Sequence, residues 1–280
     1  MRTRLFTALL LFLLTSQAVR AQERLVIHPE SNDLKKVELF VARPEGDGPF
    51  PVILFVHGHQ SSPRPGGRAF TQLEGRRPGL ATIDEGRLER MRTRGYLAAA
   101  VSLPGYGATP GPADFWGPKS QAAVEAALNY LTDLPDIDRG RVAVYGVSGG
   151  AATSSMVATR TGGITALILV AGLYDLGKAY PTGDDGLDDY IEREAGTTPE
   201  AFAARAALRY TEKIQAQVLI LHGEDDTRGG VVDQARLLAE KLRAHGTPVR
   251  LRIYENTPHS IPIAAQWEEI DPWLREAIGR

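Results

Sequence analysis

Eight short apolar runs recur along the chain, most of them separated by longer stretches of mixed character. That alternation limits the fold more than any other feature. The runs are residues 24–27, 36–42, 51–57, 96–102, 141–146, 164–171, 217–222 and 249–254. Several are apolar at successive positions, the pattern of strands buried on both faces rather than strands with one wet side. Between them, residues 85–95, 119–134, 231–246 and 264–279 read as helices. Gly95 is placed to end the first. Pro135 stops the second, whose Ala123, Ala127, Tyr130 and Leu134 share one face at helical spacing. Strand–helix alternation predicts an α/β fold: a mostly parallel eight-stranded sheet covered by helices on both faces. Residues 173–213 break the rhythm. They hold no strand and are too long for a plain connection, so they predict an excursion of about two helices after the sixth strand.

Composition narrows the classes. The 280 residues are 43% hydrophobic and 24% charged with a net charge of −2, which suits a soluble domain with a large core and offers no basic surface for nucleic acid. Residues 1–21 differ in kind. Arg2 and Arg4 precede an apolar run over 5–14, and Val19 and Ala21 fit the −3 and −1 positions of a signal-peptidase site. The run is about half of the ~20 residues a membrane span needs. The expectation is a secretory signal over 1–21, a single mature domain over 22–280 and export to the periplasm or beyond, without stable membrane insertion; an uncleaved anchor is the alternative. Cysteine is absent. The core alone must hold the fold, and Cys nucleophiles and Cys-ligated zinc are excluded.

The chemistry begins at RVAVYGVSGGAATS, residues 141–154: a strand, a Gly-x-Ser-x-Gly turn, then small helix-forming residues. A sharp strand-to-helix turn strains the serine and brings the residues two positions away close together, so both must be small. Gly146 and Gly150 occupy those positions around Ser148. The turn also sets the serine at a helix N-terminus, whose dipole favours an oxyanion. A serine hydroxyl still needs a base, and the base an orienting acid. The seventh run is followed by Asp225 and Asp226, and the eighth by His259. Ser, Asp, His is the chain order used by sheets of this type.

The stretches PVILFVHGH, LPGYGATPG, PDIDRGRVAVYGVSGG, VLILHGEDDTR and YENTPHSI together resemble the α/β-hydrolase superfamily, most closely its prolyl-oligopeptidase and dienelactone-hydrolase-like branch, over residues 36–279. In that family the acid lies four residues past the His that ends the seventh strand, which implies Asp226, with Asp225 the runner-up. The resemblance also implies an oxyanion hole made by the backbone N–H of Gly149 and that of His59, with Gln60 second to His59. Peptidases of this branch carry a large N-terminal domain, and only about 30 residues separate the leader from the strand at 51. The expectation is therefore a carboxylesterase acting on a small acyl or acetyl ester through an acyl-enzyme, with no cofactor. A peptidase or an acyltransferase using the same triad is the alternative, and a non-catalytic binding protein stands behind both.

Other residues receive local readings. Phe115, Trp116 and Tyr174 either line a substrate pocket with Gln60 or pack loops onto the sheet. His57 belongs to the turn after the third strand, and two histidines at i, i+2 without an acidic partner make a weak metal site. His222 reads as structural, and His28 and His245 as surface residues. The acidic run 182–190 lacks the spacing of a calcium loop and reads as a solvated turn.

Overall fold

The structure is a computed structural model and describes residues 22–29, 34–60 and 86–279; the expected leader lies outside these ranges. Its sheet has eight strands: β1 (Glu23–Ile27), β2 (Val37–Ala42), β3 (Phe50–Val56), β4 (Leu97–Val101), β5 (Ile137–Val147), β6 (Ala166–Val170), β7 (Gln217–Gly223) and β8 (Val249–Tyr254). They lie in the order β1-β2-β4-β3-β5-β6-β7-β8. β2 runs antiparallel to both of its neighbours, and every pairing from β4 through β8 is parallel. Each apolar run found in the sequence became a strand, shifted by a few residues at its ends.

The run at 51–56 shows why. Val52, Leu54 and Val56 enter one core cluster, with Ala123, Ala127 and Leu131 of α2 (Pro118–Thr132) and Leu238 and Leu242 of α7 (Val231–Ala244). Ile53 and Phe55 enter a second, on the opposite face. There they join Leu88 and Met91 of α1 (Arg87–Arg92) and Trp267, Ile270 and Leu274 of α8 (Ile263–Ala277). Strand side chains alternate between faces, so a strand with a core on each side must be apolar throughout. Truncating a large side chain in either core costs about 2–5 kcal/mol.

Between β5 and β6 lies α3 (Gly149–Ala158), buried along its whole length. Residues 173–213 hold more pieces than the two helices expected. They are α4 (Leu176–Ala179), α5 (Asp185–Tyr190), a π-helical turn (Ile191–Ala195), α6 (Pro199–Ala203) and two 3-10 turns (Ala207–Arg209, Thr211–Lys213). Asp175, Asp184 and Thr198 each cap a helix through the side chain. Asp188 accepts from the backbone N–H and the hydroxyl of Thr182, so Asp184 and Asp188 of the acidic run bind its own backbone and hydroxyls. The excursion supplies Leu173, Leu176, Ala179, Tyr190 and Ile191 to a third cluster, which closes over Phe115, Trp116 and Ala152. It therefore covers the start of α3 at the C-terminal ends of the parallel strands, where open α/β sheets place their sites.

Candidate active site

Ser148 stands between β5 and α3 with φ 55° and ψ −120°, a backbone few non-glycine residues adopt. Its N–H donates to Val170 O at 2.7 Å, and its carbonyl accepts from Ala151 and Ala152 at the head of α3. Gly146 and Gly150 are pressed together across this turn: a Cβ on Gly146 would overlap the Gly150 carbonyl, and one on Gly150 would overlap Val56 O. The close approach read from the sequence is thus the geometry found.

His259, in the loop after β8, places Nε2 3.0 Å from Ser148 Oγ and Nδ1 2.6 Å from Asp226 Oδ2. Ser148 and His259 are partly exposed, so solvent reaches them. Asp226 is the acid that meets the imidazole. Asp225 points outward, and its N–H donates to Thr257 O. The Asp226 side chain is 1% exposed and bound on three sides. Besides His259, it meets His222 Nε2 at 3.1 Å, Arg228 Nε at 3.0 Å and Arg228 Nη2 at 3.3 Å. Burial alone would push this carboxyl up. The His222 hydrogen bond and the Arg228 charge outweigh it, and the carboxyl sits below the usual aspartate range. The relay is thus an ionised carboxylate holding an imidazole against a hydroxyl, an arrangement suited to general-base activation of a nucleophile.

The other side of the serine is built from the turn after β3. Leu103 N–H donates to His57 Nε2 at 3.1 Å, so His57 Nδ1 carries the proton and donates to Gly58 O at 2.7 Å. A trans peptide sends its C=O and N–H in opposite directions, so this bond turns the His59 N–H away from His57. Gly58 lies directly against the nucleophile: a Cβ there would stand 2.9 Å from Ser148 Cβ. Gly149 N–H heads α3, where it has no acceptor within the helix. The Gly149 amide is thus left without a helix acceptor next to Ser148.

Gln60 does not join it. Its N–H donates to the Tyr106 hydroxyl at 3.4 Å. Tyr174 is a second correction. It is 0% exposed and packs in the core beside Leu208 rather than lining a pocket, and burial pushes its phenol well above the ordinary range. Trp116 lies against Gly149, the residue after Ser148, and both it and Phe115 are buried residues of the third cluster. With His59, Tyr106 and Glu194 they surround a cavity of about 10 Å³. A larger cleft of about 530 Å³, bordered by Asp175, Phe202 and Lys241, contains none of Ser148, Asp226 or His259.

Four residues carry roles that the sequence reading missed. His222 and Arg228 hold Asp226. Glu194 Oε2 meets His59 Nε2 at 3.3 Å with both side chains nearly buried, and the Tyr190 ring stacks edge-on against the same imidazole at 4.5 Å. Arg205, 5% exposed, donates to the carbonyls of Asp114, Phe115 and Ala201. Its guanidinium meets carbonyls rather than a carboxylate, and burial lowers its pKa. Only His222 left a usable signal, four residues before Asp226 on the same strand–turn.

Known proteins give the geometry a context. A family model described as the prolyl oligopeptidase family matches residues 113–279, a range that holds Ser148, Asp226 and His259; one described as X-Pro dipeptidyl-peptidase (S15 family) matches residues 33–188. The "Uncharacterized peptidase YtmA" of Bacillus subtilis (strain 168) is 28% identical over 198 residues, covering 69% of this chain and 76% of that protein. Among solved structures, the acylaminoacyl peptidase of Pyrococcus horikoshii superposes with a TM-score of 0.71 at 19% identity, over 94% of this chain and 43% of its own. A puromycin-hydrolyzing peptidase of Mycobacterium tuberculosis superposes with a TM-score of 0.72 at 20% identity, over 92% and 40%. The chain thus spans less than half the length of these two enzymes, and at such identities the likeness is one of fold. A 2,6-dihydroxy-pseudo-oxynicotine hydrolase shares that fold with a TM-score of 0.68 at 20% identity, over 92% of this chain and 68% of its own.

Proposed function

The chain belongs to the prolyl oligopeptidase family of serine hydrolases, and from that premise we propose that it is a peptidase, cleaving amide bonds of short peptides or aminoacyl amides. This replaces the carboxylesterase reading. That reading rested on how little chain precedes the strand at 51, whereas both matching families and the curated relative are peptidases by description. The observation that carries the proposal is the match of the family model across the segment in which Ser148, His259 and Asp226 stand at 3.0 and 2.6 Å.

In this reading Ser148 Oγ attacks the carbonyl carbon as His259 Nε2 takes the hydroxyl proton. Asp226 keeps the imidazole in the Nδ1–H tautomer and stabilises the imidazolium. The N–H groups of Gly149 and His59 hold the oxyanion. His259 then gives its proton to the leaving amine, and water, deprotonated by the same imidazole, releases the acyl group. No cofactor enters these steps. Export under the 1–21 leader is part of the same proposal, and N-terminal sequencing of the protein recovered from the expressing cell tests it.

The decisive assay compares aminoacyl and peptidyl p-nitroanilides with p-nitrophenyl alkanoates, using Ser148→Ala as the control. The expected result is anilide cleavage that disappears in the variant. Turnover of the esters alone would restore the esterase reading.

A further inference from the structure

We propose that His222 is a positioning residue of the relay: from the end of β7 it fixes the Asp226 oxygen that also binds His259, and so sets the pH range in which His259 acts as a base. The proposal rests on Ser148, His259 and Asp226 being the relay, and not on whether the bond cleaved is an amide or an ester.

Two imidazoles meet on one oxygen. Asp226 Oδ2 lies 2.6 Å from His259 Nδ1 and 3.1 Å from His222 Nε2, with Arg228 Nη2 at 3.3 Å. Oδ1 is left to Arg228 Nε at 3.0 Å. An ionised carboxylate only accepts, so His222 carries its proton on Nε2 and donates it to Oδ2. The other ring nitrogen, Nδ1, is buried and has no partner among the described residues. Buried polar atoms are nearly always paired, and a leucine would fill this fully buried position without orphaning one. What the imidazole adds is its Nε2–H. A second proton, on Nδ1, would find no acceptor, so the ring serves as a fixed donor rather than a proton carrier.

His222 is also the more rigid of the two supports. It lies within β7, opposite Ile253 of β8, and its side chain is 0% exposed; Arg228 sits in the following turn with its side chain 29% exposed. The same strand end meets the loop that carries the base. A Cβ on Gly223 would overlap the carbonyls of Thr257 and Pro258, and Asp225 N–H donates to Thr257 O. The end of β7 thus places acid and base together.

The consequence is electrostatic. The charged and titratable groups on Asp226 are His222 from β7, Arg228 from the turn and His259 from the loop after β8. Burial pushes the carboxyl up, and the His222 hydrogen bond is foremost among the contacts that bring it low. A donor on Oδ2 draws on the negative charge that would otherwise stabilise a protonated His259. Without that donor the carboxylate holds the imidazolium more tightly, and His259 becomes a free base only at higher pH.

The test measures kcat and kcat/KM for p-nitrophenyl acetate from about pH 5 to 9 in wild type, His222→Leu, His222→Asn and His222→Gln. Glutamine can place its amide nitrogen where Nε2 stands; asparagine is shorter and carries it where Nδ1 stands. The expected result is a plateau kcat about 10-fold lower in the Leu and Asn variants, with the rising limb of kcat/KM moved to higher pH, and recovery of both in the Gln variant. The Asn variant carries the comparison if the Leu variant does not fold. A limb that stays in place in the Leu and Asn variants, whatever happens to kcat, would overturn the proposal. So would a Gln variant no better than Asn, or a limb moved to lower pH, the sign of an Asp226 lost from His259. Aminoacyl p-nitroanilides left uncleaved by wild type while the ester profile moves as expected would sink the peptidase reading alone. Ester turnover that survives in Ser148→Ala would sink the relay, and the proposal with it.

Discussion

The two sides of Ser148 are held in different ways. On one side, Asp226 and His259 sit in short loops at the ends of adjacent parallel strands, and Asp226 is fixed by His222 and Arg228 within four residues along the chain. On the other, Asp114 and Phe115 are held through their carbonyls by Arg205, about 90 residues away. The His59 imidazole there meets Glu194, 135 residues away. The first side is local and follows from where strands end. The second is a wall assembled from the 104–117 loop and the excursion, with backbone strain and a buried guanidinium that meets carbonyls. The relay should therefore govern chemistry and the wall should govern stability and selectivity, so removing parts of each should give separable losses.

The largest loss belongs to the relay. Ser148→Ala or His259→Ala should lower kcat by about 10⁶-fold, and Asp226→Asn by about 10⁴-fold, with thermal melting close to wild type in the first two. Asp225→Asn should change kcat less than twofold, because that side chain faces solvent. Steady-state kinetics on the best substrate checks all four, and an equal effect at Asp225 would mean that the acid has been misassigned.

The relay was also the legible part. Ser148, Asp226 and His259 each follow an apolar run directly, and a run that ends in a turn declares where the chain reaches the sheet edge. The wall left no comparable trace. Left-handed backbone at Phe115 and Trp116 is invisible when no glycine marks it. Arg205 and Glu194 look like any charged residue on a helix until the fold brings their partners to them. Tyr174 was misread for a related reason: an aromatic near the excursion can face either the site or the core, and here Gln234 Oε1 accepts from the N–H groups of Tyr174 and Asp175, fixing that stretch against α7. The central strands were readable because burial on two faces forces apolar side chains at every position. The excursion was readable only as an interruption, since its short capped turns have no long period.

Next in size is Arg205→Met. It leaves the Asp114, Phe115 and Ala201 carbonyls without their buried donor, at a cost of about 3 kcal/mol, or roughly 10 °C in Tm for a domain of this size. Fluorophosphonate labelling of Ser148 at 25 °C should stay within about threefold of wild type, because the relay is untouched. Labelling that collapsed with the Tm would show the two sides to be one cooperative unit.

Glu194 tests the wall where it touches His59, the residue proposed to supply the second oxyanion N–H. Loss of one such donor costs about 10²–10³ in kcat. Glu194→Ala frees the His59 ring without removing the amide, so a smaller loss is expected, about 10-fold in kcat with KM within twofold. Glu194→Gln retains an oxygen for the ring and should recover most of it. A change confined to KM would place Glu194 at the substrate rather than behind His59.

The smallest effect lies in the relay itself, at Arg228. Its charge is one of the causes holding the Asp226 carboxyl below its ordinary range. A carboxyl depressed on folding contributes stability that is present above its unfolded pKa and lost as pH falls through the folded one. Arg228→Gln lessens the depression. Stability at neutral pH should fall slightly, and the acid-side loss should begin at higher pH, the effect kept small because the arginine is partly exposed and screened. Urea midpoints measured from pH 3 to 7 would show it. In an Asp226→Asn background there is no carboxylate for Arg228 to hold ionised, so the same substitution should produce no pH-dependent difference. If the shift survived in that background, Arg228 would be acting on some other group, and the local character assigned to this side of the site would be wrong.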